Sequence, residues 1–316
     1  MQMTFINVGY GDAILAQEDG FTILLDGGTA RADEFSGFSY RTRAADYLEH
    51  AGIARINLLM LSHIHDDHVC GLEGLRIPVD RVLLPYSPAL FRNRPELVCG
   101  PDAPRSASLF TEALNALCRL LRRWDADGVP VAPICTGDTY DLPGGLRLEA
   151  LAPASDTVDK FTARITQAFA ADDPTADLTV LDQTSNAASL LLKLSGPNGA
   201  ALLTADNIPA LWRSIDFSLL ENVNVLKLPH HGQLDSISED LMQKMPLTHV
   251  VTCAASDRRY QSANPAVYDR LHALHPDAQL LFTDERSYPP YFSHPEGFRA
   301  IRLTINSGNI QTEFIQ

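Results

Sequence analysis

Three histidines and two aspartates crowd the six residues from His63 to His68, within Leu61-Ser62-His63-Ile64-His65-Asp66-Asp67-His68. Alternate side chains of an extended segment share a side, so His63 and His65 project together, and Asp67 and His68 turn around the same point. Imidazole nitrogen and carboxylate oxygen are ligands for zinc, manganese or iron, and their convergence is costly without a cation. A second group, Pro229-His230-His231-Gly232, completes a set of five of the chain's ten histidines in two short motifs. A polar loop with incidental histidines would not concentrate them in this way.

Both groups follow strand-like runs, 56–61 and 223–228, so a sheet must deliver them. Similar runs at 3–8, 13–17, 21–25, 81–84, 146–151, 189–194, 200–204, 249–252, 279–282, 301–305 and 311–315 are punctuated by Gly, Pro, Asp and Asn. Helical patterns lie between them. The clearest is 106–124, where Phe110, Ala113, Leu114, Leu117, Leu121 and Trp124 follow a 3.6-residue period. Residues 40–50 end at Gly52, and 158–170, 236–245 and 265–274 are weaker helical stretches. Three strands with short turns, then alternating helix and strand, then a second strand-rich half predict an α/β architecture of two sheets packed face to face with helices outside. A single domain over 1–316 is expected, with insertions at 85–130 and 155–185 that could carry a lid or a substrate-selecting element.

Composition excludes several classes. Apolar residues make up 45% and charged residues 20% of 316 positions, which rules out a disordered chain and a disulfide miniprotein. No window approaches the ~20 unbroken apolar residues of a membrane span, and the start lacks a signal-peptide pattern; a soluble cytoplasmic protein is expected. The net charge of −14 would repel long polyanions unless a local site reverses the sign. Five widely spaced cysteines form no C-x-x-C pair and read as buried reduced thiols. Arg122-Arg123 and Arg258-Arg259 could meet phosphate, although paired arginines are more often solvated surface. His249 reads as a core or edge residue of a strand, His272 and His275 as the solvent face or end of a helix, and Asp172-Asp173 as a loop.

The histidine–aspartate loop resembles the H-x-H-x-D-H signature of the metallo-β-lactamase superfamily. The opening Phe5-Ile6-Asn7-Val8-Gly9-Tyr10-Gly11-Asp12-Ala13-Ile14, then Leu25-Asp26-Gly27-Gly28, and Pro229-His230-His231-Gly232 are similar to its ComEC-type branch, known from the hydrolase domain of competence DNA-uptake proteins. The resemblance spans nearly the whole chain apart from the two insertions, and implies the αββα sandwich of two mixed sheets. It also implies two divalent ions, Zn or Mn. His63 and His65 would hold one, Asp67, His68 and a downstream histidine the other, and Asp206 would bridge both. His231 is favoured as that last ligand, with His230 facing substrate as a proton donor to the leaving group; the opposite assignment stays open. Asp26 would orient a metal-bound histidine or merely form the turn before Gly27-Gly28. Asn186 stands about where many members have a further histidine ligand, and either ligates weakly or starts a strand. Ser189 and Asn264 would sit behind the ligands or touch substrate. The chain departs from the branch at Cys70, Ala205, Gln233 and Asn264.

The implied activity is metal-dependent hydrolysis, foremost of phosphodiesters, with a metal-bridging hydroxide as nucleophile and Asp67 and His230 as catalytic groups. The acidic surface favours a short phosphate ester, nucleotide-like or single-stranded, over long duplex DNA. Hydrolysis of an ester, lactone or thioester, or a low-turnover metal-binding sensor or interaction module, are the alternatives. Oligomeric state is not legible.

Overall fold

The computed structural model describes residues 1–284, 291–292, 295, 297–307 and 309–316, with the side chains of residues 213 and 214 left aside. The chain opens with β1 (Gln2–Ile6), β2 (Ile14–Glu18) and β3 (Phe21–Leu25), a meander whose neighbours pair antiparallel. It then alternates: α1 (Ala44–His50), β4 (Leu58–Met60), α2 (Asp66–Val69), β5 (Val82–Leu84), α3 (Arg105–Ala126) and β6 (Val131–Pro133). Strands β3 to β6 are mutually parallel, as crossover connections require.

The second half builds β7 (Thr139–Leu142), β8 (Leu146–Ala152), α4 (Ser155–Ala170), α5 (Thr175–Thr184), β9 (Leu191–Gly196), β10 (Gly199–Leu203) and β11 (Val223–Lys227). After α6 (Glu239–Met242), β12 (His249–Thr252), α7 (Pro265–Leu274) and β13 (Gln279–Phe282), the chain returns through β14 (Ala300–Asn306) and β15 (Asn309–Ile315) to the edge of the first sheet. Among the described residues the sheet orders are β15-β14-β1-β2-β3-β4-β5-β6 and β13-β12-β11-β10-β9-β8-β7, both mixed.

Strand side chains sort by alternation into an inner and an outer layer. Leu58 and Met60 of β4, Leu203 of β10, Val225 of β11 and Val251 of β12 fill the space between the sheets. Leu59 faces the other way, onto Phe110, Leu114, Leu117 and Leu121 of α3. Leu202, Leu226 and Val250 likewise meet Trp212, Val267 and Leu271. Strands buried on both faces read as unbroken apolar runs, which is why 58–60 and 200–203 lack a polar alternation. The result is the expected α/β sandwich, two mixed sheets with helices outside.

Several details differ from the sequence reading. Strands β6 and β7 were not anticipated: Val-Ala-Pro is two half-buried residues and one exposed at a sheet edge, and Thr139–Leu142 alternates only between exposed and half-buried. Helix α5 was also missed, because only Leu178 and Leu181 are buried on it. The stretch 40–50 is helical only from Ala44, since Arg41 is drawn into buried pairs with Glu34 and Asp284, and 236–245 shortens to α6. Within 85–130, α3 buries Phe110 and Trp124 in the core. Arg123 is not solvated surface: its guanidinium donates to the carbonyls of Leu72 and Glu73 at 3.1 Å. Three of the five cysteines are buried, but Cys135 is exposed. His249 is buried in β12, and His275 at the end of α7 binds the Met242 carbonyl. No described helix is long and apolar enough to cross a membrane.

Candidate metal centre

The donor residues emerge just beyond the carboxyl ends of β4, β10 and β11, where parallel strands of an α/β fold leave a crevice. After β4 the backbone stays extended through His65, which caps α2 with φ −137° and ψ 156°, and the first turn of that short helix presents Asp67 and His68. After β10 the chain turns through Ala205, φ 43°, into Asp206. After β11, His230 and His231 take left-handed backbone, φ 47° and 53°. Gly232 follows at φ 73°, and a Cβ there would lie 2.8 Å from the Tyr268 hydroxyl. Such strain is retained where the surroundings over-determine it, characteristically at functional sites.

These turns bring His63, His65 and Asp206 together as one group of possible metal donors, and Asp67, His68 and His231 as another. Within each, one atom from every residue lies within 4.8 Å of the rest. Asp206 spans both: its Oδ2 is 3.9 Å from His63 Nε2, and its Oδ1 is 3.5 Å from His68 Nε2 and 3.4 Å from His231 Nε2. Asp67 Oδ2 lies 3.2 Å from His231 Nε2. His68 Nε2, His231 Nε2 and Asp206 Oδ1 are buried without a hydrogen bond. Orphaned buried donors and acceptors are rare, and three of them facing one point fit a cation there.

The opposite ring nitrogens are occupied, which fixes the orientation of each imidazole. Asp26 Oδ2 holds His68 Nδ1 at 2.9 Å, and both side chains are fully buried. Asp26 also accepts from the Ser62 backbone N–H at 2.8 Å and hydroxyl at 2.6 Å. Its backbone is left-handed as well, φ 58°, so the turn and the histidine contact coexist. Cys253 carbonyl holds His231 Nδ1 at 2.7 Å, Ser62 Oγ lies 3.0 Å from His63 Nδ1, and the Asp182 carbonyl lies 3.2 Å from His65 Nε2.

Electrostatics follow the packing. Burial, with His68 and His65 beside it, holds His63 well below the usual imidazole range. Burial opposes charge on His68 too, but Asp67 and Asp206 reverse it and hold this imidazole well above that range. His231 is pushed up to about 10 by Asp206 and Asp67 against its burial. Asp206 is buried, yet His231 and His68 keep its carboxyl well below the ordinary value. Burial and the neighbouring Asp67 raise Asp66 to about 7.

Of the remaining expected residues, His230 stands apart from both donor groups. Its Nδ1 lies 3.1 Å from Asp235 Oδ1, and its Nε2 lies 3.0 Å from both Asn186 Nδ2 and Gln233 Nε2. Asn186 therefore meets His230, leaving its own Oδ1 without a partner. Ser189 is buried and braces that turn by donating to the Asn186 carbonyl at 2.8 Å. Asn264 does not line the cavity: its side chain accepts from Ala266 N–H to cap α7, and its N–H donates to the Gly232 carbonyl at 2.8 Å. Of the two expectations for Asn264, these contacts fit support behind the ligands, through the His-His-Gly turn. A short side chain at a helix start meets the free N–H groups of the first turn more readily than it reaches across a loop.

Three residues escaped the sequence reading. Lys227 is fully buried, with Nζ 2.5 Å from Asp12 Oδ2 and 3.8 Å from Asp206 Oδ1, and it donates to the Ala205 carbonyl at 2.8 Å. A lysine inside an apolar strand run, in a chain with only four lysines, was the available signal. Asp12 forms a third donor group with His68 and Asp206. Asp182, on the unanticipated α5, left no signal at all. The donors open into a cavity of about 300 Å³ lined by Tyr10, Arg31, Phe110, Asn186, Arg259 and Tyr260, among others.

Residues 6–84 match the family model described as the metallo-beta-lactamase superfamily. No curated protein sequence matches the chain. Among solved structures, Igni18, a metallo hydrolase from the hyperthermophilic archaeon Ignicoccus hospitalis, is similar at 12% identity, over 97% of this chain and 100% of that one, with a TM-score of 0.49. The isothiocyanate hydrolase from Delia radicum gut bacteria is similar at 13% identity, over 93% and 100%, with a TM-score of 0.48. The metallo-beta-lactamase fold protein YhfI from Bacillus subtilis is similar at 9% identity, over 89% and 95%, with a TM-score of 0.47. Likenesses this weak carry no weight for activity. The matched stretch holds His63, His65, Asp67 and His68, so over residues 6–84 the chain is similar to the metallo-beta-lactamase superfamily.

Proposed function

We propose that this chain is a metal-dependent hydrolase that cleaves phosphodiesters. The observation that carries the reading is the convergence of unpartnered His68 Nε2, His231 Nε2 and Asp206 Oδ1, two of whose residues, Asp206 and His231, line an open cavity. Divalent cations held there would supply Lewis acidity, a lowered pKa for bound water and compensation of charge building on substrate oxygens.

In this reading His63, His65 and Asp206 hold one ion and Asp67, His68, His231 and Asp206 the other. Asp26, the Cys253 carbonyl and Asp182 aim the imidazoles. Burial would raise the Asp67 and Asp206 carboxyls, but His68 and His231 hold both below the ordinary carboxylate value, which favours them as ligands rather than acids. His230 is the group we assign to move a proton: Asp235 steadies its Nδ1, and its Nε2 lies at the cavity between the Asn186 and Gln233 amides. In the resting arrangement that nitrogen accepts from the two amides; protonated in place of those contacts, it could pass its proton to a departing ester oxygen. The paired histidine turn is also the feature that most resembles ComEC-type domains, which favours phosphodiesters, and cations at the floor offset the net charge of −14 towards an anionic substrate.

The test is turnover of bis(p-nitrophenyl) phosphate, single-stranded DNA and a panel of carboxylic esters and thioesters, each with added manganese or zinc. Phosphodiester cleavage that disappears in a folded Asp67→Ala variant is expected. Ester turnover without phosphodiester cleavage overturns the substrate class, and no turnover with no retained metal overturns the enzyme reading.

A further inference from the structure

The segment between β12 and α7 forms the rim of the cavity on the side of His231, and its backbone is costly. Arg258, Tyr260, Gln261 and Ala263 all have left-handed φ, at 55°, 56°, 58° and 48°. Non-glycine residues there cost on the order of 1–3 kcal/mol each, and such outliers gather at ligand clamps. The segment is pinned at both ends. Ala263 N–H donates to the His231 carbonyl at 2.9 Å and Asn264 N–H to the Gly232 carbonyl at 2.8 Å. Arg259 pairs with Asp257 and with the buried carboxylate of Glu34.

This conformation holds the Tyr260 ring out of the core. It is 63% exposed, among the few large apolar side chains left in solvent, and it lines the cavity. Behind it the Tyr10 ring lies 5.6 Å away at 70°, an edge-to-face contact, and Tyr10 in turn lies 4.4 Å from the His231 imidazole. An aromatic ladder therefore runs from the donor cluster to the mouth, ending in the largely exposed Tyr260 ring. Tyr and Trp offer large contact area at little rotamer cost, and an exposed ring face beside an anion site is the arrangement that stacks flat ring systems.

Building on the phosphodiesterase reading, we infer that Tyr260 forms a stacking subsite for a flat aromatic substituent of the phosphate ester, a nucleobase or an aryl ring. The phosphate would sit over the donors and the ring on Tyr260, so esters with aromatic substituents bind better than alkyl esters of equal charge.

The test is calorimetric titration of the metal-loaded protein with adenosine 5′-monophosphate, phenyl phosphate and ethyl phosphate, which needs no turnover. In the wild type the aromatic esters should bind roughly tenfold more tightly than ethyl phosphate, the scale of base–aromatic stacking. Tyr260→Ala should close that gap, and Tyr260→Phe should keep it. An advantage for the adenosine ester alone identifies a nucleobase as the ring recognised, and one for both esters identifies any flat ring. No aromatic advantage, or one that survives in Tyr260→Ala, overturns the subsite. Loss of the substrate-class reading appears separately, as absent diester turnover in a protein that still distinguishes these ligands.

Discussion

Lys227→Met replaces a buried ammonium with an uncharged side chain of similar length and leaves Asp12 and Asp206 facing each other's charge. The ammonium sits 2.5 Å from Asp12 Oδ2 and 3.8 Å from Asp206 Oδ1, with no exposure on any of the three beyond 4%. Removing one partner of a buried ion pair costs about 3–5 kcal/mol, because the other charge stays desolvated. An unfolding entropy of about 2.1 cal/mol/K per residue gives roughly 0.7 kcal/mol/K for this chain length, so that loss lowers Tm by about 5–8 °C. Asp12→Asn should cost less. Coulomb attraction falls as 1/r, so Asp206 alone still exerts about two-thirds of the pull that Asp12 exerted. The double variant should cost clearly less than the sum of the singles, with a coupling of up to about 3 kcal/mol for groups in direct contact. Thermal and urea melts of the four proteins, run with a chelator so that no cation stands in for the lysine, measure every term. A Lys227→Met melt within about 1 °C of wild type, or strict additivity in the double variant, would refute the reasoning.

Asp26→Asn keeps the shape but weakens the acceptor that orients His68; metal affinity in a competitive chelator titration should fall about 10- to 100-fold, and an unchanged affinity would exclude the role. Gly11→Ala should damage the site from behind, because the added Cβ would stand 2.2 Å from the Asp67 carbonyl oxygen at φ 128°, so activity and metal retention should fall together; a fully active variant would sink this. For Asp284, burial alone would raise the carboxyl, but Arg41 and Ser256 override it and leave it below the ordinary value. Its contribution is therefore complete above the unfolded carboxylate value near ~3.9 and fades as pH falls through the lower folded value. Arg41→Met should lose stability at neutral pH and show a shallower acid decline than wild type, read from urea midpoints between about pH 2 and 6; parallel curves would contradict it.

Much of this molecule is legible along the chain because its causes are local. The histidine–aspartate loop is chemistry concentrated in neighbouring residues, and Leu58-Leu59-Met60 and Ala200 to Leu203 announce strands buried on both faces by being apolar without a break. Helix α3 declares itself by the 3.6-residue spacing of Phe110 to Trp124. Short edge strands and a helix with two buried residues carry too little pattern to be seen. What the tertiary structure alone decided is which distant groups meet. His231 rather than His230 joins Asp67 and His68, Asn264 caps a helix, Asp182 backs His65, and Lys227 lies against Asp12 across the two sheets. Such contacts follow from sheet order and from the left-handed turns after β10 and β11. A pairing between residues over two hundred positions apart leaves no periodicity in the sequence, because its energy comes from desolvation and distance in the folded state, not from the neighbours of either residue.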